Sequence, residues 1–247
     1  MRRITIIGVL LAAVLAVGQV KETTQADTPA PTRITAWTMR SGEVGYAAPY
    51  NPKLVQSMSQ GWLRFKITNA FESAGVLGPK VQLGTYTFEV RNRMDQDDPA
   101  GVRAIWTYDD ATKDEVDVLE ATRWRDANNP YLLYCGAFRA GVNVASFKQL
   151  ARPFNKYELT MEVHAKGANV VQWGVFPDGT KKEVGRGTTD VCPVGHQLRM
   201  AYWLMKDGYL YTDSASRGAR LFDVRVSFVP APTKTTGTSG AATDRGG

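Results

Sequence analysis

The sequence is poor in the residues that most catalytic chemistries draw on. Among 247 residues there are two histidines, His164 and His196, and two cysteines, Cys135 and Cys192. None of the four lies in a Cys/His/Asp cluster at zinc-binding spacing, so a zinc centre has no support. Gly-x-Ser-x-Gly is absent, and so is a glycine-rich turn opening a helix. The esterase-type nucleophile and the phosphate-cradling loop fall away with them. No lysine- or arginine-rich run occurs, which gives nucleic-acid or membrane-surface binding little footing. Long helical periodicity is nearly absent too.

One long apolar run exists, at the start. Arg2-Arg3 precede Ile4 to Val17, and Ala16-Val17-Gly18 gives a small-x-small pattern, so residues 1–18 read as a secretory signal peptide. The run is short for a transmembrane helix, which needs about 20 residues. No cysteine follows it to carry a lipid anchor. The expected location is secreted or periplasmic, with no membrane in the mature form. The formal charge of +6 falls by two, to +4, once Arg2 and Arg3 leave. Export would place Cys135 and Cys192 in an oxidising compartment, where an even count favours a bridge over two separate thiols. Such a bridge would contribute ~3–4 kcal/mol in the chain-entropy picture.

What the chain does have is many short apolar or alternating runs between turn signals. Residues 19–33 read as a Thr/Pro/Ala-rich linker and 231–247 as a disordered Thr/Gly/Ala tail, leaving one domain over 34–230. Within it Trp62–Ile67, Tyr131–Tyr134, Tyr157–Val163, Val170–Phe176 and Phe222–Val229 read as strands. Phe176-Pro177-Asp178-Gly179 signals a hairpin. The fold class that follows is all-β, an antiparallel β-sandwich.

One stretch carries chemistry. Asp109 to Asp114 reads as a turn, and Glu115-Val116-Asp117-Val118-Leu119-Glu120 as the strand after it. Side chains alternate across a strand, so Glu115 and Asp117 share a face and Glu120 would point away. A one-residue bulge at Val118-Leu119 would return Glu120 to that face. Three carboxylates would then line one rail, the outer Cα atoms about 13 Å apart at the rise of a strand. Carboxylates so placed cannot all ionise independently, and one is kept protonated near neutral pH. Residue pattern alone leaves two readings open, a solvated acidic strand face or a pair of catalytic carboxylates.

Glu115-Val116-Asp117-Val118-Leu119-Glu120 resembles the Glu-x-Asp-x-x-Glu signature of glycoside hydrolase family 16, in the bulged form of its laminarinase-like and agarase-like members. Gly84 to Arg91 is similar to the family's glycine-tyrosine strand, and Val102 to Tyr108 resembles the strand before the signature. The resemblance implies a jelly roll of two sheets with a concave substrate cleft. It implies a retaining endo-glycosidase acting on a β-linked polysaccharide as a monomer, with no organic cofactor. Glu115 would be the nucleophile, Glu120 the acid and base, and Asp117 the residue that positions Glu115. Asp223 resembles a position where some members hold a structural calcium; one Asp cannot make such a site alone.

Aromatic rings suit sugar clefts because they combine a flat apolar body with a polar handle. Trp106, Tyr108, Trp124 and Trp203 are the candidates, with core packing the competing role; Trp37, Trp62 and Trp173 read as core. The chain departs from the family at Thr87 and Glu89, where members often carry Glu and Arg against sugar hydroxyls. Glu89 and Arg91 are the candidates to replace that pair. Two rival functions use the same sandwich: a non-catalytic carbohydrate-binding module, and a transglycosylase using the same carboxylates. The sequence leaves the polysaccharide open among laminarin-like, mixed-linkage, agar-like and carrageenan-like chains.

Overall fold

The computed structural model describes residues 29–44, 47–67, 72–91, 101–122, 132–150, 156–204 and 220–232. The expected signal peptide, the tail beyond residue 232 and Trp124 lie outside the described residues. The first five strands are short: β1 (Thr32–Arg33), β2 (Thr38–Met39), β3 (Gly42–Val44), β4 (Ala47–Tyr50) and β5 (Val55–Ser57). Then come β6 (Trp62–Ile67), β7 (Ser73–Lys80), β8 (Gly84–Arg91), β9 (Gly101–Tyr108), β10 (Glu115–Thr122) and β11 (Leu132–Arg139). β12 (Val142–Leu150), β13 (Lys156–His164), β14 (Gly167–Val175), β15 (Lys181–Thr189), β16 (Gln197–Leu204) and β17 (Arg220–Pro230) complete the order.

These strands form two sheets. One runs β15-β14-β13-β8-β17-β6-β5, with β1 added on β17. The other runs β12-β11-β10-β9-β16-β7-β4-β3, with β2 added on β7. Pairing is antiparallel except where β4 meets β7. Strands distant in sequence lie side by side, β9 beside β16 and β8 beside β17, so the chain crosses repeatedly between layers as a jelly roll does.

Alternation explains the layers. In β8, Tyr86, Phe88 and Val90 are buried while Thr85, Thr87 and Glu89 are less so. β13 does the same, with Tyr157, Leu159, Met161 and Val163 inward. From the second sheet Val116, Val118, Leu119, Ile105 and Met200 meet them in one apolar core. The hairpin read at Pro177-Asp178-Gly179 joins β14 to β15. There Phe176 N–H donates to the Thr180 carbonyl at 2.9 Å and Gly179 takes φ 87°, a conformation only glycine adopts cheaply.

The structure corrects the sequence reading in places. Thr32–Arg33, inside the expected linker, is strand β1 paired with β17. Trp62 is buried on the outer face of its sheet, not between the sheets, with the guanidinium carbons of Arg91 and Arg225 at 3.8 and 4.7 Å from its ring centre. Cys135 and Cys192 are free thiols. Cys135 faces the core, where burial and then the Asp117 charge push its pKa up to about 12. Cys192 follows β15, its Sγ donating to the His164 carbonyl at 3.6 Å. Among the described residues, no helix is long and apolar enough to cross a membrane.

Candidate active site

β10 is aimed by the turns at its ends. Asp109 closes the turn before it, accepting from Ala111 N–H at 2.9 Å and from the Thr112 hydroxyl at 3.1 Å. Asp114 accepts from Ala140 N–H at 2.8 Å, and Gly141 N–H donates to the Lys113 carbonyl at 3.0 Å. The turns before β10 and after β11 are thereby locked together.

The bulge expected at Val118-Leu119 is present. Against β11, Asp117 faces Gly136 and Glu120 faces Tyr134, so β10 spends one residue more than its neighbour. Against β9 the register slips between Asp117 and Leu119. Val116, Val118 and Leu119 all enter the core. Glu115, Asp117 and Glu120 therefore share the face turned away from it. A bulge interrupts the ladder, and Gln172 Nε2 of β14 donates to the Val118 carbonyl there at 2.8 Å.

The rail is not a solvated acidic face. Asp117 is only 5 % exposed, and burial, with the charges of Glu115 and Glu120 behind it, pushes its carboxyl well above the usual range. Burial also leaves Glu115 above its usual range, its hydrogen bond with Asp117 and the nearby Arg199 charge offsetting only part of the rise. The physical outcome is a proton held on Asp117 and shared toward Glu115.

On β9, Tyr108, Trp106 and Ala104 stand opposite Glu115, Asp117 and Glu120. Trp106 meets Trp203 of β16 edge to face, ring centres 6.4 Å apart at 72°. With Tyr50, Val102, Ala104 and Ala201 they form a second apolar cluster, against which Tyr108 packs. Three of the four aromatic candidates thus reach the carboxylate face; Trp124 is outside the described residues. Trp106 and Trp203 are both buried there, so they also do packing work.

Glu89 and Arg91 are not part of this site. Because Phe88 and Val90 of β8 point into the core, Glu89 and Arg91 face outward from the opposite sheet. Glu89 accepts from Arg225 at 2.9 and 2.6 Å and from Arg33 at 3.1 Å. Both carboxylate oxygens of Asp223 accept from Arg64, at 2.8 and 2.7 Å. Among the described residues, no group of three acidic, histidine or cysteine side chains could hold a metal. Asp223, the residue behind the calcium expectation, is engaged by Arg64.

Several neighbours escaped the sequence reading. Tyr134 lies on the rail side, its hydroxyl accepting from Asn143 Nδ2 at 2.8 Å. Burial and then the Asp117 charge push its phenol up to about 12. Arg199, opposite Trp106 on β16, pairs with Asp110 at 2.6 Å and stacks 4.5 Å above the Tyr108 ring. Nothing in local spacing marks either residue, since their neighbours arrive from distant strands.

No protein-family model and no curated protein match the sequence. Solved structures do resemble it. A Bacillus licheniformis β-glucanase shares 13 % identity at a TM-score of 0.57, covering 83 % of this chain and 100 % of that one. A lichenase from a mouse hindgut metagenome shares 14 % at 0.57, covering 80 % and 94 %. The laminarinase catalytic domain of Thermotoga maritima MSB8 shares 11 % at 0.58, covering 81 % and 93 %. At such identity the likeness is one of fold: this chain is a jelly roll of the kind found in the β-glucanases and laminarinases of glycoside hydrolase family 16.

Proposed function

We propose that the protein is an exported, retaining endo-glycosidase that hydrolyses a β-linked polysaccharide. The observation that carries this reading is the bulge in β10, which turns Glu115, Asp117 and Glu120 onto one face beside Trp106 and Trp203. In a regular strand Leu119 would share the face of Asp117 and Glu120 would turn into the core. The bulge buries Leu119 beside Val116 and Val118 and keeps the third carboxylate on the same side as the other two.

Glu115, as its carboxylate, attacks the anomeric carbon; burial raises its pKa, and the Asp117 hydrogen bond and Arg199 charge offset part of that. The bond to the leaving oxygen breaks as Glu120 gives that oxygen its proton, and a glycosyl ester forms on Glu115. Glu120, now ionised, takes a proton from water, whose oxygen displaces Glu115 from the sugar. Asp117 donates its proton toward Glu115 in the resting state and holds the carboxylate in line. The resemblance to β-glucanases and laminarinases supports a polysaccharide as the substrate.

The experiment is reducing-end release from a panel of β-glucans and β-galactans, with Glu115→Gln and Glu120→Gln beside wild type and folding checked by thermal melt. Activity on one polymer that vanishes in both variants supports the assignment. Full activity in both would end it. Saturable binding without turnover would favour a binding module.

A further inference from the structure

Beyond the carboxylates, the same face carries arginine and phenol donors over strands two and three places from β10. The Tyr50 ring lies flat on Gly75 of β7, where a Cβ would meet Tyr50 Cδ1 at 2.9 Å. Arg40 donates to the Tyr50 hydroxyl at 3.2 Å, with its guanidinium carbon 4.3 Å from the ring centre. Arg199 acts on the same phenol from β16, and on Glu115 from the other side. Burial raises the Tyr50 phenol despite both arginines, so it keeps its proton. Accepting from Arg40, it has that hydrogen left to donate.

Two guanidiniums and a phenolic O–H therefore gather at one end of the carboxylate face. Arg199 has the carboxylates of Glu115 and Asp110 near it. It pairs with Asp110, whose side chain is 75 % exposed on a turn and whose carbonyl also accepts from Lys113. Among the described residues, half-buried Arg40 has the Tyr50 hydroxyl and ring as its partners. Arginine forks match sulfate and carboxylate oxygens better than they match neutral hydroxyls. The formal charge of the chain, +4 without Arg2 and Arg3, has the sign that would draw a polyanion.

We propose that Arg40, Tyr50 and Arg199 form a subsite for an anionic substituent, a sulfate ester or a uronate carboxylate, on the polysaccharide being cleaved. This rests on the hydrolase reading and names its substrate class. Tyr50 lies over β7, three strands from β10, or roughly 14 Å at the usual strand spacing. The anion thus belongs to a sugar neighbouring the one whose bond breaks. Asp110 acts as an exposed stand-in that the bound anion displaces from Arg199.

The test uses the full chain, a sulfated β-galactan, the same polymer after chemical desulfation, and a β-linked polyuronate. kcat/KM is measured for wild type, Arg40→Gln, Arg40→Lys and Arg91→Gln, each with its thermal melt. The expected result is a preference for one anionic polymer over the desulfated chain. That preference falls about tenfold in Arg40→Gln, the cost of a charge-assisted hydrogen bond, and returns in part with Arg40→Lys. Arg91→Gln removes the same charge from the opposite sheet and leaves the preference in place. Which polymer depends on Arg40 tells sulfate from carboxylate. A preference that ignores Arg40, or none in wild type, overturns the subsite and leaves the hydrolase standing. Where nothing is cleaved, retardation in gels carrying each anionic polymer replaces kcat/KM. Retardation lost in Arg40→Gln and kept in Arg91→Gln then retains the subsite without the hydrolase; equal retardation in all proteins overturns the subsite too.

Discussion

Gln172 crosses the core from one sheet to hold Val118 in the other, its Nε2 donating to the Val118 carbonyl at 2.8 Å. The side chain is 1 % exposed, and it also approaches the Tyr134 carbonyl at 3.4 Å. These carbonyls belong to the bulged strand β10 and its neighbour β11. A buried carbonyl freed from its ladder must find a donor or cost the fold a hydrogen bond. Gln172 is that donor, and it fixes which way Glu120 points. Gln172→Leu should destabilise by about 1–3 kcal/mol. It should also lower kcat by tenfold to a hundredfold, on the order expected when a reacting group is misplaced. A urea melt beside steady-state kinetics checks both. Lost stability with unchanged kcat would mean that the bulge holds itself.

Tyr134 occupies the space that a side chain at position 136 would need. Gly136 faces Asp117 across the ladder, and a Cβ there would collide with the Tyr134 ring tip and lie 2.8 Å from the Ala145 carbonyl. The ring tip is also tethered by Asn143. Gly136→Ala should therefore cost about 1–3 kcal/mol as an overpacking change and displace the phenol from beside Asp117. The readout is Tm together with kcat/KM. Asn143→Ala, which frees the phenol without the collision, separates the two effects.

Asp117 keeps its proton at the expense of stability. Its carboxyl sits well above the usual range because it is buried among Glu115 and Glu120. In a raised carboxyl the folded state binds more protons than the unfolded one, so stability falls as pH climbs from the unfolded value toward the folded one. Asp117→Asn removes that titration. The variant should melt higher than wild type at neutral pH and lose the advantage in acid, while turnover drops because Glu115 is held differently. Thermal melts from pH 4 to pH 8 test the sign. A variant less stable than wild type at every pH would contradict it.

The sheets were legible because burial in a sandwich writes itself into alternation. Tyr86, Phe88 and Val90 mark the inner face of β8, and Tyr157, Leu159 and Met161 that of β13. The bulge was legible for the same reason: Val118-Leu119 are two apolar residues where alternation allows one. Which sheet a strand joins is another matter. Glu89 and Arg91 have the alternation of a cleft strand, yet β8 pairs with β13 and β17 on the far side of the core. Sheet membership is decided by long-range pairing that no local window contains. Gln172, Tyr134 and Arg199 were missed on the same ground, since each matters through partners on other strands.

Glu89 offers a prediction that follows from its true place. Burial opposes its ionisation, but Arg225 and Arg33 outweigh that and hold the carboxyl below its usual range. Arg33 belongs to β1, so Glu89 ties the edge strand to β8 and β17. Here the folded state binds fewer protons than the unfolded one. The stability it contributes is present above the unfolded carboxylate range and is lost as pH falls through the lower folded value. Glu89→Gln should cost about 1–3 kcal/mol at neutral pH, the worth of its charge-assisted bonds to arginine, and almost nothing in strong acid. Turnover should stay within about twofold of wild type, well under the 1.4 kcal/mol that a tenfold change represents. Urea melts at two pH values, run beside kcat/KM, decide the matter. A large loss of turnover with little loss of stability would return Glu89 to the substrate face, against its position on the opposite sheet.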